Sequence, residues 1–152
     1  MATLKKQSNK ARIAIVASSF NDFITKRLLS ACLAELGRQG LGQKQITTVW
    51  VPGSFEIPLT ALKLAKRKNI DAVICLGAVI RGETYHFEVV SNESARGIMH
   101  ASLVSNKPVI MGVLTTDTGP QALARAGQKG ADNKGRDCAL AALEMIALLK
   151  NI

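Results

Sequence analysis

Short apolar runs alternate with stretches of helical periodicity along the chain, and this alternation constrains the fold more than any other feature of the sequence. The apolar runs are too short for buried helices and rich in β-branched residues, which is typical of strands; they cover 13–17, 46–51, 71–80 and 109–114. The helical stretches cover 23–39, 57–68, 87–105, 119–126 and 136–150. Strands separated by helices predict right-handed crossovers, and therefore an α/β domain, a three-layer αβα sandwich around a four-stranded parallel sheet.

The size and composition of the chain agree with one folded domain. It has 152 residues, of which 47% are apolar and 20% charged, and this balance is too apolar for disorder. We assign residues 13–152 to a single domain and residues 1–12 to a flexible N-terminal segment. No apolar run reaches the roughly 18–20 residues of a membrane span, and the N-terminus lacks the apolar centre of a signal peptide, so we predict a cytoplasmic protein.

Three cysteines and an excess of positive charge each raise a functional alternative. Cys32, Cys75 and Cys138 form no C-x-x-C pair and have apolar neighbours, which favours buried free thiols over a metal site or a disulfide. The formal charge of +9 is compatible with nucleic-acid binding, but the basic residues cluster near the N-terminus or are dispersed, and no nucleic-acid-binding motif is present. We therefore expect a phosphorylated or otherwise anionic small substrate, and neither a nucleic acid nor a membrane as partner.

The last helical stretch, at 136–150, is apolar around most of its circumference. Its large apolar residues are Cys138, Leu140, Leu143, Met145, Ile146, Leu148 and Leu149. A helix of this kind is normally buried, and a domain of this size has little interior in which to bury it. We therefore expect an oligomer in which a partner subunit covers this helix.

Polar and aromatic residues follow every predicted strand, at the edge where open parallel sheets bind their ligands. These segments are 19–21, 53–56, 81–86 and 115–116. The third reads RGETYH and leads into a helix, so that its backbone N–H groups suit an anionic ligand. His86 places an imidazole, a common general acid and base, beside that anion.

Each candidate residue at this edge also has a structural interpretation. Phe20 can stack on a flat heterocycle or form a hydrophobic staple for the next helix. Glu56 can accept hydrogen bonds from ligand hydroxyls or serve as a first-turn acid favoured by the helix dipole. His86 can act as a general base or be a helix-start or core histidine. The other histidine, His100, lies in the middle of a helical stretch, and we assign it a structural role.

A glycine-rich turn at 127–135 is bordered by two basic residues. Arg125 and Lys134 are candidates for phosphate and hydroxyl contacts, with a solvated basic loop as the alternative. Asp137 starts a helix, where a cap or dipole role is commonest. The sequence contains no dinucleotide fingerprint, no Walker A loop, no H-E-x-x-H and no nucleophile elbow.

Taken together, the segments at the strand ends resemble the lumazine synthase family. The matching motifs are Phe20-Asn21 with Ile24, VPGSFEIP at 51–58, LGAVIRG at 76–82, Thr84 with HFE at 86–88, GVLTT at 112–116, RAG at 125–127 and NKG at 133–135. They occur in the family's order and span about residues 13–149. Each motif is weak alone, whereas the ordered set is highly specific.

The resemblance implies a flavodoxin-like sheet and a transferase of riboflavin biosynthesis. The implied reaction condenses 5-amino-6-(D-ribitylamino)uracil with 3,4-dihydroxy-2-butanone 4-phosphate to 6,7-dimethyl-8-ribityllumazine, and it releases phosphate and water. It uses neither a metal nor an organic cofactor. This chemistry agrees with the residues themselves, because imine formation, phosphate elimination and ring closure need proton relays and an anion site.

The same resemblance implies a role for each candidate residue. The residues implied for the pyrimidine ring are Phe20, which would stack on it, together with Ser54, Val79 and Ile80, and Asn21 is implied as a further substrate-binding residue. Those implied for the ribityl chain are Phe55 and Glu56. The phosphate would be bound by the backbone N–H groups of Glu83 and Thr84 and by Arg125 of a neighbouring subunit. The residues implied for the chemistry are His86 as proton shuttle, Asp137 as its tuning partner and Lys134 beside the ligand.

Two positions depart from the family pattern. Ser19 stands where a basic residue often precedes Phe-Asn, and Met111 stands where many members have Phe. Methionine fills a similar space with softer packing, so the departure concerns the cross-subunit wall of the pocket rather than the catalytic role.

The family assembles as pentamers, or as twelve pentamers in an icosahedral shell. The turn at 127–135 looks slightly longer than in shell-forming members, which favours a free homopentamer. Two interpretations from other classes stay open at this point: a non-catalytic flavin- or lumazine-binding protein, and a shell or scaffold protein.

Overall fold

The structure, a computed structural model, describes residues 10–127 and 132–152 of the chain. Its strands are β1 (Ile13–Ser18), β2 (Ile46–Val51), β3 (Ala72–Ile80) and β4 (Val109–Thr116). Its α-helices are α1 (Asp22–Arg38), α2 (Ile57–Ala65), α3 (His86–Ser105), α4 (Gly119–Arg125) and α5 (Lys134–Leu149). Short 3-10 turns at Gln43–Gln45 and Ser54–Glu56 precede β2 and α2.

The four strands are parallel and form one sheet in the order β2-β1-β3-β4. The central strands β1 and β3 are buried along almost their whole length, as their continuous apolar sequences predict. The edge strands β2 and β4 carry several exposed residues. The predicted three-layer αβα sandwich with a four-stranded parallel, flavodoxin-like sheet is confirmed, since this strand order is that of flavodoxin-like sheets.

The helices cover the sheet in two groups and form an apolar layer on each face. On one face α1, α4 and α5 pack on the sheet, and Leu28 and Ile146 share a buried cluster with Leu76 of β3. On the other face α2 and α3 supply Ile57 and Ile98 to a second cluster. Both layers draw on β1 and β3, because successive side chains of a strand point to opposite faces of the sheet.

Several predicted boundaries differ from those observed by one to three residues, and two of these differences have a visible cause. Helix α2 ends at Ala65 rather than at residue 68, because the chain turns there and the Lys107 ammonium donates to the carbonyl oxygens of Arg67 and Ile70, both at 2.7 Å. Strand β4 extends two residues beyond its predicted end, because these residues pair with the last residues of β3. Pairing partners and long-range caps of this kind are not visible in a local pattern.

The three cysteines are free and buried, as predicted. Burial raises the pKa of the Cys32 thiol to about 12 and that of the Cys138 thiol to about 11. Burial also raises the pKa of Cys75, which lies in the opposite apolar layer. The thiols are therefore protonated at neutral pH and behave as small apolar core residues.

The first turn of α5 approaches α1 more closely than a side chain allows. A Cβ atom at Gly135 would lie 1.9 Å from the carbonyl oxygen of Leu28. That oxygen belongs to a helix backbone, which can yield only if the whole helix moves. This position therefore requires glycine. The close contact fixes the first turn of α5, which carries Lys134 and Asp137, against α1.

Large apolar side chains stay exposed on several helices, among them α3 and α5. On α3, Met99 and Leu103 are 62% and 73% exposed, and on α5, Leu148 and Leu149 are 52% and 41% exposed. The exposure on α5 agrees with the expectation that this helix needs a partner, whereas the exposed surface of α3 was not predicted. Apolar surface of this kind is typical of interfaces between subunits.

The packed domain includes residues near the start of the described region. Ala11 is fully buried, and the backbone N–H of Arg12 donates to Asp71 Oδ2 at 2.7 Å. Both residues belong to the stretch assigned to a flexible segment, of which residues 1–9 lie outside the described residues. Within residues 10–127 and 132–152, no helix combines the length and the apolar character that crossing a membrane requires.

Candidate active site

A cleft of about 710 Å³ opens beyond the carboxyl ends of β1, β2 and β3, and we call it the main cleft. Nine of the fourteen candidate site residues line it, namely Phe20, Asn21, Ser54, Phe55, Glu56, Val79, Ile80, Thr84 and His86. They lie at the ends of three strands that are distant in sequence, or shortly after those ends. Parallel pairing of these strands brings their ends together, at the edge where sheets of this type bind ligands.

The turn after β1 is fixed by backbone contacts that leave Phe20 exposed. Asn21 adopts a left-handed conformation, which asparagine tolerates better than most residues, and its side-chain amide donates to the carbonyl oxygen of Ala78 at 2.9 Å. The backbone N–H of Phe20 donates to the Pro52 carbonyl oxygen at 2.9 Å. The Phe20 side chain is 72% exposed, which contradicts the alternative of a hydrophobic staple and leaves the ring available to a ligand.

The turn after β2 presents Phe55 and Glu56 to the main cleft and holds Ser54 below them. Ser54 is buried, whereas Phe55 is 57% exposed and Glu56 is also exposed. Glu56 directly precedes α2, so the alternative of an acid favoured by the helix dipole stays open, and its side chain forms no cap hydrogen bond. Pro58 supports the first turn of α2 instead, because this turn needs no N–H from it.

Beneath the main cleft, β3 makes room for two serine hydroxyls. A Cβ atom at Gly77 would lie 2.5 Å from Ser18 Oγ and 2.9 Å from Ser54 Oγ. A side chain at this position would therefore displace the floor of the cleft. Ser18 is fully buried, and its hydroxyl has no hydrogen-bond partner among the described residues.

The loop after β3 is exposed and leads directly into α3. His86 is the first residue of α3, and its backbone N–H donates to Thr84 Oγ1 at 3.4 Å. The preceding Tyr85 supplies no side-chain cap, so the start of this 20-residue helix retains capacity for an anion. His86 is exposed, which excludes the interpretation as a core histidine. It lies at the start of a helix and also lines the main cleft.

Arg81, at the start of this loop, contacts three other groups. Its guanidinium forms ion pairs with Glu88 of α3 and with Asp117, and the Nε to Asp117 Oδ1 distance is 2.7 Å. The same guanidinium lies over the Phe87 ring, 4.3 Å from the ring centre. Arg81 is not among the site residues predicted from the sequence. The local signal that could have found it is a cation directly after a buried strand, seven residues before an acid in the next helix.

A second, shallower depression of about 460 Å³ runs along the outer side of β4, and we call it the β4 depression. Four candidate residues line it, namely Met111, Arg125, Lys134 and Asp137. Lys134 Nζ donates to Asp137 Oδ2 at 3.2 Å, and this hydrogen bond is the main cause of the raised pKa of Lys134. Arg125 donates to the carbonyl oxygen of Gln121 at 3.0 Å.

The candidate residues are therefore divided between two surfaces of one chain. Asp137, expected to tune His86, pairs with Lys134 in the β4 depression, whereas His86 lines the main cleft. Glu83 is exposed on the loop after β3 and lines neither surface. The turn at 127–135, on which the expectation of a free pentamer rests, includes residues 128–131, which lie outside the described residues.

The doubly wound sheet defines a flavodoxin-like α/β domain. It has a ligand-sized cleft at its carboxyl edge and an exposed imidazole at a helix start, an arrangement typical of enzymes with this fold. The family model described as 6,7-dimethyl-8-ribityllumazine synthase matches residues 10–150, so the chain belongs to this family. Its members are transferases of riboflavin biosynthesis. The resemblance found in the sequence is thereby confirmed.

Proposed function

We propose that the chain condenses 5-amino-6-(D-ribitylamino)uracil with 3,4-dihydroxy-2-butanone 4-phosphate to 6,7-dimethyl-8-ribityllumazine, releasing phosphate and water. One observation carries this proposal: in a chain of this family, a stacking surface, a carboxylate and an imidazole line the same cleft. Those are the groups that the two substrates and the proton transfers require.

The pyrimidine substrate binds between the ends of β1, β2 and β3. The exposed Phe20 ring stacks on the heterocycle, and Ser54, Val79 and Ile80 hold its edge. Glu56, whose carboxylate forms no helix cap, accepts hydrogen bonds from the ribityl hydroxyls, with Phe55 beside them. The hydrogen bond from Asn21 to Ala78 supports this arrangement, because it fixes the turn that carries Phe20.

The phosphate of the second substrate binds at the loop after β3, through the backbone N–H groups of Glu83 and Thr84. The absence of a side-chain cap at the start of α3 supports this assignment. His86 then lies next to the leaving phosphate and transfers protons during imine formation, elimination and ring closure. Holding two substrates in reacting geometry supplies much of the remaining acceleration, with effective molarities of about 10⁵ M or more.

The site is completed by an adjacent subunit of a homopentamer. Arg125 binds the phosphate, Lys134 and Asp137 approach the ligand and His86, and Met111 forms part of the opposite wall. The separation of the β4 depression from the main cleft within one chain supports this proposal, as does the exposed apolar surface of α3 and α5. The enzyme works in the cytoplasm, without a metal or an organic cofactor.

The direct test mixes the purified protein with both substrates and follows the absorbance of the lumazine product. Product formation well above the uncatalysed rate is the expected result. Ligand titration runs in parallel, because binding of the pyrimidine or of lumazine without turnover would replace the enzyme by a binding protein. Sedimentation velocity tests the assembly, for which a pentamer is expected and a larger shell would contradict this part of the proposal.

A further inference from the structure

The contacts of Arg81 close the loop that carries the catalytic groups. Arg81 is the first residue after β3, and Glu88 is the third residue of α3. Their ion pair joins the two ends of the segment 82–87, which includes Thr84 and His86. The guanidinium also covers Phe87, a residue that lines the main cleft.

A second ion pair anchors this closed loop to a different part of the sheet. Arg81 Nε lies 2.7 Å from Oδ1 of Asp117, in the connection between β4 and α4. The backbone N–H of Arg81 donates to the carbonyl oxygen of Thr116, the last residue of β4, at 2.9 Å, so the backbone and the side chain attach to two adjacent residues. Arg81 thus has two anchors outside its own loop.

These ion pairs are poorly placed to stabilise the fold. The side chains of Arg81, Glu88 and Asp117 are 44%, 30% and 64% exposed, and exposed pairs contribute little to the free energy of unfolding. The hydrogen bond from Arg81 does lower the pKa of the Glu88 carboxyl. A planar guanidinium that contacts two carboxylates and an aromatic ring has a defined orientation, and it therefore fixes the relative positions of the segments that carry these groups.

We infer that Arg81 is a positioning residue for the active site, an inference that rests on the proposed function. By binding Glu88 and Asp117 together, it holds the loop 82–85 and the start of α3 in the geometry that His86 needs for proton transfer. Arg81 itself acts through these residues and not on the reacting atoms.

The test compares the variants Arg81→Gln, Arg81→Lys, Glu88→Gln and Asp117→Asn with the wild-type protein. Arg81→Gln is expected to lower kcat about 10- to 100-fold, since misplacement of a catalytic group by about 1 Å has effects of this size. The KM for the pyrimidine should hardly change, because Phe20 and Glu56 follow other strands. Arg81→Lys should recover part of kcat, since an ammonium meets one carboxylate but not both in a fixed plane. Glu88→Gln and Asp117→Asn should each have a partial effect.

A control variant and a structural readout separate positioning from stability. Arg96→Gln removes an arginine from another ion pair on α3 and should keep the wild-type kcat. Tm and sedimentation should be unchanged in every variant, whereas amide hydrogen exchange over residues 82–87 should become faster in Arg81→Gln without any substrate.

Three outcomes would overturn the inference. The first is a wild-type kcat in Arg81→Gln, and the second is unchanged hydrogen exchange over residues 82–87. The third is a loss of kcat in Arg81→Gln that accompanies a loss of Tm or of assembly, while Glu88→Gln and Asp117→Asn keep full activity. Failure of the proposed function is a different result. In that case the wild-type protein forms no lumazine, and the exchange measurement alone decides whether Arg81 holds the loop.

Discussion

The main cleft and the β4 depression have different construction, although both contain residues implied for one active site. In the main cleft, exposed aromatic rings stand on turns that backbone contacts fix, such as the bond from Asn21 to Ala78. In the β4 depression, charged side chains pair with one another or with their own helix, as Lys134 does with Asp137.

This difference indicates which part of the site a single chain can prepare. The turns of the main cleft are held by contacts across three strands, so its shape exists before any partner binds. The charges of the β4 depression satisfy each other locally and can exchange these partners for a ligand at small cost, because exposed ion pairs are weak. A preformed half and an adaptable half are what a site shared between subunits requires.

The largest expected effect is on catalysis in the main cleft. His86→Ala should lower kcat by about 10² or more, since general acid–base catalysis contributes about 10²–10⁴. The matched control is His100→Ala, which removes an exposed histidine from the middle of the same helix and should keep the wild-type rate. Steady-state kinetics with both substrates measures the difference, and equal rates for the two variants would remove His86 from the mechanism.

The next largest effect is a loss of stability at the contact between α1 and α5, which supports the β4 depression. Gly135→Ala places a Cβ atom against the Leu28 carbonyl oxygen, so α1 and α5 must separate, and overpacking of this kind costs about 3 kcal/mol. Urea unfolding measures the loss. Gly119→Ala serves as control, because a Cβ atom there meets nothing within 4 Å, and an equal loss in both variants would contradict the role of the close approach.

A mixing experiment tests the division of the site between two chains. His86→Ala and Arg125→Ala should each be nearly inactive, whereas co-expression should give mixed oligomers with activity, because some sites combine an intact His86 with an intact Arg125. If one chain holds the whole site, the mixture will show only the average of the two inactive parents. Sedimentation of both variants checks that they assemble.

A smaller effect is expected at the floor of the main cleft. Gly77→Ala displaces the hydroxyls of Ser18 and Ser54, which can rotate away, so the free energy of unfolding should fall by only about 1 kcal/mol. The KM for the pyrimidine should rise several-fold, because Ser54 moves. Gly37→Ala, with nothing within 4 Å of its Cβ, is the control, and an unchanged KM in Gly77→Ala would argue against Ser54 as a ligand-binding residue.

The smallest effect concerns the reactivity of the thiols, which reports on how readily each region opens to solvent. Cys138 lines the β4 depression, whereas Cys32 and Cys75 are fully buried. A thiol reagent at pH 8 should modify Cys138 first and slowly, since a pKa of about 11 leaves about one thiolate in a thousand. Mass spectrometry identifies the labelled residue, and Cys138→Ser should abolish the first labelling step. If Cys32 were labelled first, the region around α1 would open to solvent more readily than the β4 depression, contrary to this prediction.

Much of the fold was predictable because its signals are local. The apolar runs, the β-branched residues and the helical spacing predicted every strand and helix, and the rule that ligands bind at carboxyl edges brought Phe20, Glu56 and His86 together. The end of α2 was not predictable, because it depends on Lys107, about 40 residues further along the chain.

Contacts across the sheet account for what was missed in the site. Arg81 has its partners at positions 88 and 117, and only the pairing of β3 with β4 brings the second one near. The close approach at Gly135 depends in the same way on the packing of α5 against α1. Periodicity and composition mark neither residue, and the only local signal is the position of Arg81 between a buried strand and an acid of the next helix.

The open edge of β4 has a consequence for the chain before it assembles. Among residues 10–127 and 132–152, β4 pairs with β3 on one side only, and residues 110–115 border the β4 depression along the other. An unpaired edge of this kind is a template for aggregation, and charged side chains beside it discourage the addition of a foreign strand. Arg125, Lys134 and Asp137 stand beside this edge, so the charges proposed to serve a neighbour's active site also protect a newly made subunit until it meets that neighbour.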